Sequence, residues 1–351
     1  MAYTNIDDPS AYFQVKLWTG NASTNAITLD GNSNMQPDFM WHKEHTDTNG
    51  WHQFDSSRGV TKYLASQSDN GEGTFSGYLS SFDSNGFTAG SGDSSMNSSG
   101  TAQCSWMWHC NSGTTSSNTD GTITSTVQAN TTAGFSIVTY TGNETNNATV
   151  GHGLGVIPNM IIVKNRDLNV SWGIWHTALA SGEVLRLNQT AAKATPATAY
   201  FQDENNTSSV FALGTNDETN ENADNYVAYC FAEKQGYSKF GKYIGNGNAN
   251  GPFVYTGFKP AFIMGKRTNT TGNWFIVDSK RDIDNPADKR LFANTTDAES
   301  TSTNNEVDLL SNGFKLRRNL IQSNGSGSTY TYMAFAENPF VTSTGIPTTA
   351  R

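Results

Sequence analysis

Three stretches of the chain, 37–55, 158–176 and 260–278, repeat one pattern of apolar and polar positions. Each stretch opens with a proline and an apolar run, with a lysine six residues after the proline and a tryptophan fourteen residues after it. Turn-forming residues such as Asn49 and Gly50 occupy the middle of the first stretch. Because proline is tolerated at the start of a strand and the middle favours a turn, the pattern predicts three β-hairpins.

If each hairpin turns ten residues after its proline, the apolar residues of its two strands face each other. The expected apolar pairs are Met40 with Phe54, Ile161 with Trp175, and Ile263 with Val277. The same register places each lysine opposite a tryptophan, where the lysine stem could lie over the indole ring. We interpret the repeated residues as landmarks of architecture and not of chemistry: Pro37, Lys43, Trp51, Pro158, Lys164, Trp172, Pro260, Lys266 and Trp274.

A longer repeat surrounds the hairpins. An aromatic residue and a Gly-Asn turn precede each hairpin, and an aromatic strand follows it. With about seven or eight short strands per repeat, the sequence predicts an all-β protein of three tandem homologous β-sandwich or jelly-roll-like units. The expected division is an N-terminal arm at 1–12, β unit 1 at 13–110, a polar linker at 111–132, β unit 2 at 133–234, β unit 3 at 235–340 and a C-terminal tail at 341–351.

The linker at 111–132 contains no aromatic residue. Its middle nevertheless places Ile123, Val127 and Ala129 on one face at the period of a strand, which predicts an added edge strand. Units 2 and 3 are joined by only a few residues. We therefore expect units 2 and 3 to pack tightly together and unit 1 to lie apart.

Composition agrees with an all-β protein rich in turns. Only 35% of the 351 residues are hydrophobic, yet the chain holds 8 Trp, 13 Tyr and 19 Phe. A net charge of −9 without a basic stripe disfavours nucleic acid as a partner. Neither a signal peptide nor an apolar run of membrane-spanning length is present in the sequence, so we expect a soluble protein that does not insert into membranes.

Few residues suggest chemistry. His42 and His45 point to opposite faces of a strand, but the hairpin register sets His42 opposite His52, which makes these two histidines weak candidates for a metal site. The corresponding pairs are Val163/Gly173 and Gly265/Phe275, which are not ligands. An acidic loop at 215–225 is the alternative site, for calcium. No catalytic constellation recurs, so we expect no catalytic residues and no cofactor.

Several long phrases, including "DGTITSTVQANTTAGFSIVTYTGN", "GHGLGVIPNMIIVK" and "YVAYCFAEKQGYSKFGKYIGNG", carry a resemblance. They resemble a repeat family in tail-fibre-like virion structural proteins of marine tailed bacteriophages, and the likeness covers essentially the whole chain. The resemblance implies a non-enzymatic virion protein of the tail apparatus (fibre, spike or adaptor) with a role in host attachment. Unit 1 departs from the usual pattern at His42, His45 and His52.

Two alternatives stay open. The first is a protein that decorates the capsid or forms a fibre on it. The second is a polysaccharide-degrading spike enzyme, although such enzymes are usually parallel β-helices with short repeats of roughly 20–30 residues. Incubation with host surface polysaccharide separates the enzyme from the structural protein.

The resemblance also implies partners and a location. We expect contacts with other virion proteins of the tail or capsid, contact with a host surface glycan or receptor, and self-association, with a homotrimer as the first hypothesis. The protein would be made in the host cytoplasm and reside in the virion. The arm at 1–12 is the expected anchor, and deleting residues 2–12 is expected to leave a folded protein that cannot join the particle.

Overall fold

The computed structural model describes residues 2–92, 94–195, 199–300 and 306–349. These residues form an all-β protein of antiparallel sheets with a few very short helices, and none of the sheets among them closes into a barrel. No helix in the same residues is both long enough and apolar enough to cross a membrane.

The first part of the chain forms three sheets, one of them a two-stranded ribbon, and two helical turns, at Pro9–Ala11 (3-10) and at α1 (Ser94–Asn97). Its strands are β1 (Phe13–Thr19), β2 (Asn25–Thr28), β3 (Phe39–Glu44), β4 (Trp51–Asp55), β5 (Lys62–Tyr63), β6 (Gly73–Thr74), β7 (Leu79–Asp83), β8 (Gly86–Ala89) and β9 (Ala102–Trp108). The first main sheet has the order β1-β9-β3-β4 and the first outer sheet the order β2-β8-β7, while β5 and β6 form a separate ribbon.

The middle of the chain adds a larger sheet. Its strands are β10 (Ser116–Asn118), β11 (Ser125–Asn130), β12 (Phe135–Thr141), β13 (Ala148–Gly151), β14 (Met160–Asn165), β15 (Gly173–His176), β16 (Leu185–Arg186), β17 (Val210–Leu213) and β18 (Asn225–Phe231), with a 3-10 turn at Asp203–Asn205. The second main sheet runs β10-β11-β12-β18-β14-β15-β16, and β13 and β17 form the second outer sheet.

The last part follows the same plan. Its elements are β19 (Ser238–Ile244), β20 (Phe253–Tyr255), β21 (Phe258–Arg267), β22 (Trp274–Asp278), β23 (Leu291–Phe292), β24 (Val307–Leu310), β25 (Gly313–Leu316), α2 (Ile321–Asn324) and β26 (Thr329–Pro339). The third main sheet runs β19-β26-β21-β22-β23, and the third outer sheet runs β20-β25-β24.

The predicted hairpin register is confirmed. The observed pairs include Met40 with Phe54, Ile161 with Trp175, Ile263 with Val277, Lys43 with Trp51, and Lys266 with Trp274. In the second hairpin the ladder ends one residue earlier, at Val163 and Gly173. Pro37 and Pro158 precede their strands, but Pro260 lies within β21 at a bulge, which is another place where a missing N–H is tolerated.

Each main sheet is buried on both faces. In β3, Met40 packs into a cluster with Ile27 and Phe87 of the first outer sheet. The neighbouring residues Phe39 and Trp41 point the other way, because side chains alternate along a strand, and join a central cluster shared by all three main sheets. The same division holds for the other two main sheets, so each forms a β-sandwich-like pair with its outer sheet.

The central cluster joins the three parts of the chain. Trp108 of β9, Phe231 of β18 and Phe335 of β26 form a triangle with ring-centroid distances of 6.1, 5.4 and 5.9 Å. Edge-to-face contacts of this kind stabilise aromatic pairs beyond the area that they bury. The expectation that residues 13–110 lie apart from the rest is therefore wrong, because their aromatic strands form part of the common core.

The segment 111–132 is more ordered than a polar linker. Within it, β11 pairs along its whole length with β12. Ile123 and Val127 are buried in the hydrophobic cluster between the second main sheet and the second outer sheet, and Ala129 packs against that cluster. The apolar face that the sequence indicated thus extends the second main sheet, with β10 beyond it at the edge.

The N-terminal arm is docked. Ile6 is buried in the central cluster. The Tyr3 hydroxyl donates to the carbonyl of Gly257 at 2.7 Å, and the Thr4 hydroxyl donates to the carbonyl of Gln235 at 2.7 Å. Asp7 accepts a hydrogen bond from the backbone N–H of Ser343 at 2.6 Å, so the two ends of the described chain meet. The arm is thus part of the folded body, and its role as the anchor stays a prediction.

Candidate functional site

The landmark lysines are buried, and their ammonium groups bind carbonyl oxygens. Lys43 has no exposed surface, and its Nζ donates to the carbonyls of Glu44, Asp47 and Asn49 at 2.8, 2.7 and 2.6 Å. These carbonyls line the loop of its own hairpin. Lys43 therefore holds the loop closed through hydrogen bonds, whereas the cation–π contacts found in the described part of the chain are made by arginines.

The other two lysines reach across to the preceding part of the chain. Lys164 donates to Asp69 O at 3.1 Å as well as to its own loop, and Lys266 donates to Thr190 O at 2.9 Å as well as to its own loop. Burial lowers the pKa of Lys43, Lys164 and Lys266 to about 8. Burial of each ammonium group costs desolvation free energy, and its hydrogen bonds hold the hairpin loop in place. Lys164 and Lys266 also bond to the preceding part of the chain.

The landmark tryptophans complete a closed cycle. Each buried indole Nε1–H donates to a backbone carbonyl in a different part of the chain: Trp51 to Phe292 and Thr295 at 3.1 and 2.9 Å, Trp172 to Ala65 at 3.1 Å, and Trp274 to Arg186 at 2.9 Å. The first hairpin therefore contacts the third part, the third hairpin the second part, and the second hairpin the first part. The landmark tryptophans therefore have a structural role, which is to link the three parts of the chain in a closed cycle.

A buried ion network reinforces one junction. Arg58 binds Asp55 at 2.5 Å and Glu72 at 3.0 Å, and Glu72 also binds Arg166 at 2.8 Å. The Tyr229 hydroxyl donates to Asp55 at 2.7 Å. The arginines lower the pKa of Glu72, although burial alone would raise it. This network joins the first and second parts, and its charges neutralise each other.

A second network of the same design lies at another junction. Arg281 binds Asp278 at 2.6 Å and Glu299 at 3.2 Å, and Glu299 also contacts His45 at 2.9 Å. The indole of Trp106 donates to Asp278 at 3.2 Å. Both networks use an Asp with an Arg three residues later, a spacing visible in the sequence but missed by the sequence analysis. Glu72 and Glu299 thus join segments that are distant in the sequence.

At the third junction a histidine takes the place of the Asp. His176 is buried, and its Nε2 lies 3.1 Å from the carbonyl oxygen of Tyr332. Burial lowers the pKa of His176 to about 4, so the ring is neutral at neutral pH. A neutral imidazole N–H donates to this carbonyl without the cost of a buried charge.

The structure brings His42 and His52 together, as their register predicted. Both rings are buried and their centroids lie 6.4 Å apart, while His42 Nδ1 contacts the Ser105 hydroxyl at 2.9 Å. Desolvation lowers the pKa of His42 well below its usual range. Among the residues that the structure describes, no three His, Cys, Asp or Glu side chains are grouped to hold a metal ion. This pair therefore has no third ligand of these types in that part of the chain.

A cleft of about 450 Å³ opens beside His52. The Tyr78 ring lies 4.4 Å from the His52 ring and 5.0 Å from the Tyr63 ring, and Phe75, which is 36% exposed, lies 4.7 Å from Tyr78. Amide and hydroxyl side chains, including Gln67, Ser68 and Asn70, complete the lining. An open cleft with aromatic walls and uncharged polar groups has the character of a binding site.

At the other two hairpins, side chains of the described residues occupy the corresponding position. A Cβ on Gly173 would lie 3.1 Å from Thr219 Cγ2 and 3.8 Å from Phe201, so side chains fill that space. At the third hairpin the ring of Phe275 itself covers Gly265. In the described residues, this position is therefore open at the first hairpin and filled by side chains at the other two. The unusual histidines at the first hairpin stand out in the sequence, whereas Tyr63 and Tyr78, which lie 11 and 26 residues beyond His52, do not.

The three cysteines are buried free thiols. Burial raises the pKa of Cys104, Cys110 and Cys230, which keeps them protonated and unreactive. They contribute packing and no redox or nucleophilic site.

Fold and site together define an all-β protein of β-sandwich-like sheets with a shared core and one aromatic cleft. The family model described as "Domain of unknown function (DUF7483)" matches residues 8–339, and the chain belongs to this family. No curated protein matches the chain. The matched range includes all three hairpins and begins inside the docked arm, which agrees with a single interlocked body.

Proposed function

We propose that this chain is a non-enzymatic structural protein of a bacteriophage virion, located in the tail apparatus as part of a fibre, spike or adaptor and contributing to host attachment. The observation that carries the proposal is the closed cycle of contacts from Trp51, Trp172 and Trp274. The buried ion networks, indoles and lysines all form contacts that hold the parts of the chain together. A protein that transmits mechanical load in a virion needs such contacts. The sequence resemblance to tail-fibre-like virion proteins supports the same assignment.

We further propose that the body consists of three tandem homologous units related by an approximate threefold rotation. Corresponding contacts support this view. The side-chain oxygens of Asn97, Asn220 and Asn324 accept a hydrogen bond from the backbone N–H of a Gly-Asn turn at 3.0, 2.9 and 2.9 Å. The backbone N–H of each landmark tryptophan likewise donates to the amide oxygen of Gln67, Asn188 or Asn294.

Such internal symmetry bears on the partner. A single chain with threefold pseudosymmetry offers three similar surfaces, so one copy can sit on the axis of a trimeric virion protein. The homotrimer suggested by the sequence is the competing arrangement. The mass of the purified protein in solution distinguishes one chain from three.

Cryo-electron microscopy of the particle tests the proposed location. We expect density for this body at the tail. Density only on the capsid would overturn the tail assignment, and absence of the protein from purified particles would overturn a virion role altogether. Release of oligosaccharide from host polysaccharide by the purified protein would overturn the non-enzymatic assignment.

A further inference from the structure

We propose that the aromatic cleft of the first hairpin binds a neutral glycan, with a sugar ring packed in the corner between the nearly perpendicular rings of Tyr78 and Tyr63. This inference rests on the proposed attachment function and names the class of ligand that attachment would use. The cleft combines an open surface, half-buried aromatic rings and a rim of amides.

The chemistry of the lining matches a sugar. Tyr63 and Tyr78 are half-buried, so part of each remains open to a ligand while the rest is anchored. The negative face of an aromatic ring attracts the weakly positive C–H groups on one face of a sugar ring. Asn70 supplies an amide that can both donate and accept hydrogen bonds, and Gln67, whose oxygen accepts from the Trp51 N–H, can donate through its NH2 group, as sugar hydroxyls require. The volume of about 450 Å³ lies within the usual range of ligand sites.

Charge favours a neutral ligand. The lining contains no lysine or arginine. Lys62, close along the chain to Tyr63, lies 3.7 Å from Glu72, and the exposed Asp69 sits between the lining residues Ser68 and Asn70. With a net charge of −9 on the whole chain, phosphate or carboxylate groups would be repelled. Uronic-acid glycans and nucleic acids are therefore poor fits.

The aromatic walls are fixed in place before any ligand arrives. The Tyr63 ring lies against Gly73, where a Cβ would approach Tyr63 Cζ to 2.3 Å, so only glycine fits there. Tyr78 is held by His52 at 4.4 Å and by Phe54 at 6.2 Å between ring centroids. A site that is already ordered loses little conformational freedom on binding. The histidine that set this hairpin apart from the others thus acts as a support for Tyr78.

The test uses the full chain and a panel of neutral oligosaccharides of glucose, galactose and N-acetylglucosamine, with heparin oligosaccharide as the anionic probe. Isothermal titration calorimetry measures binding to the wild type, Tyr78→Ala, Asn70→Trp and the matched control Tyr255→Ala. Tyr255 is 53% exposed on β20 and does not line the cleft. Melting temperatures show which variants fold.

We expect at least one neutral oligosaccharide to bind, with a loss of tenfold or more in Tyr78→Ala and in Asn70→Trp, and no change in Tyr255→Ala. Asn70 is exposed, so a tryptophan there fills the cleft without disturbing the core and serves if Tyr78→Ala does not fold. Binding of heparin alone, binding that survives Asn70→Trp, or no binding by any neutral glycan would overturn the inference. Because these outcomes do not depend on the particle, they are separate from a failure of the proposed tail location.

Discussion

Each hairpin has an inner face, which packs into the central cluster, and an outer face, which packs against an outer sheet. Residue types at corresponding positions of the three hairpins vary less on the inner face than on the outer face. On the inner faces, Trp51, Trp172 and Trp274 occupy one position and make the same kind of bond to a neighbouring part. On the outer faces, the corresponding positions hold His52, Gly173 and Phe275. Each inner residue contacts another part of the chain and must fit that partner. Each outer residue packs against its own part of the chain, so fewer contacts constrain it. Variation therefore collects on the outer side, where it can build a site.

The largest expected effect comes from breaking the inner face. Trp172→Ala removes a fully buried indole and its bond to the Ala65 carbonyl, and should lower the free energy of unfolding by about 3–5 kcal/mol. Urea denaturation followed by circular dichroism measures this. Trp172→Phe, which keeps most of the ring but lacks the N–H, should cost less. A loss below about 1 kcal/mol for Trp172→Ala would show that the closed cycle contributes little to stability.

Acid should weaken one junction by a comparable amount. The folded pKa of His176 is about 4, below its ordinary 6.5, so the native state binds fewer protons than the unfolded state between these values. Stability from this residue is complete above pH 6.5 and falls as the pH drops towards 4, by about 3 kcal/mol in total. Denaturation at pH 7.5 and 4.5 should show a smaller pH effect in His176→Gln than in the wild type. Equal pH effects in the two proteins would contradict this assignment.

Deleting residues 2–12 should have the next largest effect. Ile6 leaves the central cluster, and burial of one such side chain contributes about 1.5–3 kcal/mol. We expect a lower melting temperature, with Ile6→Ala accounting for most of the loss. If the truncated protein melted like the wild type, the docked arm would be dispensable for the fold, as the anchor prediction expects.

The smallest effect should come from the outer rim. Asn70→Ala changes an exposed side chain and should alter the free energy of unfolding by less than about 0.5 kcal/mol, even where it weakens glycan binding. The same urea experiment provides the comparison with Trp172→Ala. A large loss of stability at Asn70 would mean that the outer rim is as constrained as the inner face.

The part of the fold that could be predicted from sequence is the part made by near neighbours. The pairing of Lys43 with Trp51 spans eight residues, and its spacing is repeated three times, so the register could be read directly. The contact of Trp51 with Phe292 spans 241 residues, and no local pattern indicates which distant carbonyl an indole will meet. For the same reason the sequence led us to place the first unit apart from the others.

Only part of the candidate site could be predicted from the sequence. His42 and His52 stood out because they break the repeat, and their facing register was confirmed. Tyr63 and Tyr78 sit on a short strand and in a turn, where period-two alternation gives little signal, so the aromatic wall of the cleft could not be inferred. The buried state of Lys43 was also missed, because lysine is almost never fully buried without partners, and its partners are loop carbonyls.

The meeting of Asp7 with Ser343 gives the molecule the connectivity of a ring. When the ends of a chain lie together, the ends can be joined and the chain opened elsewhere without loss of contacts. A circular permutant that begins in the exposed turn near Ser112, retains the docked arm and joins the two ends of the chain through a glycine linker would keep every indole bond between the parts. The fold then does not depend on which of the three parts comes first along the polypeptide. It depends on which part each tryptophan contacts in the closed cycle.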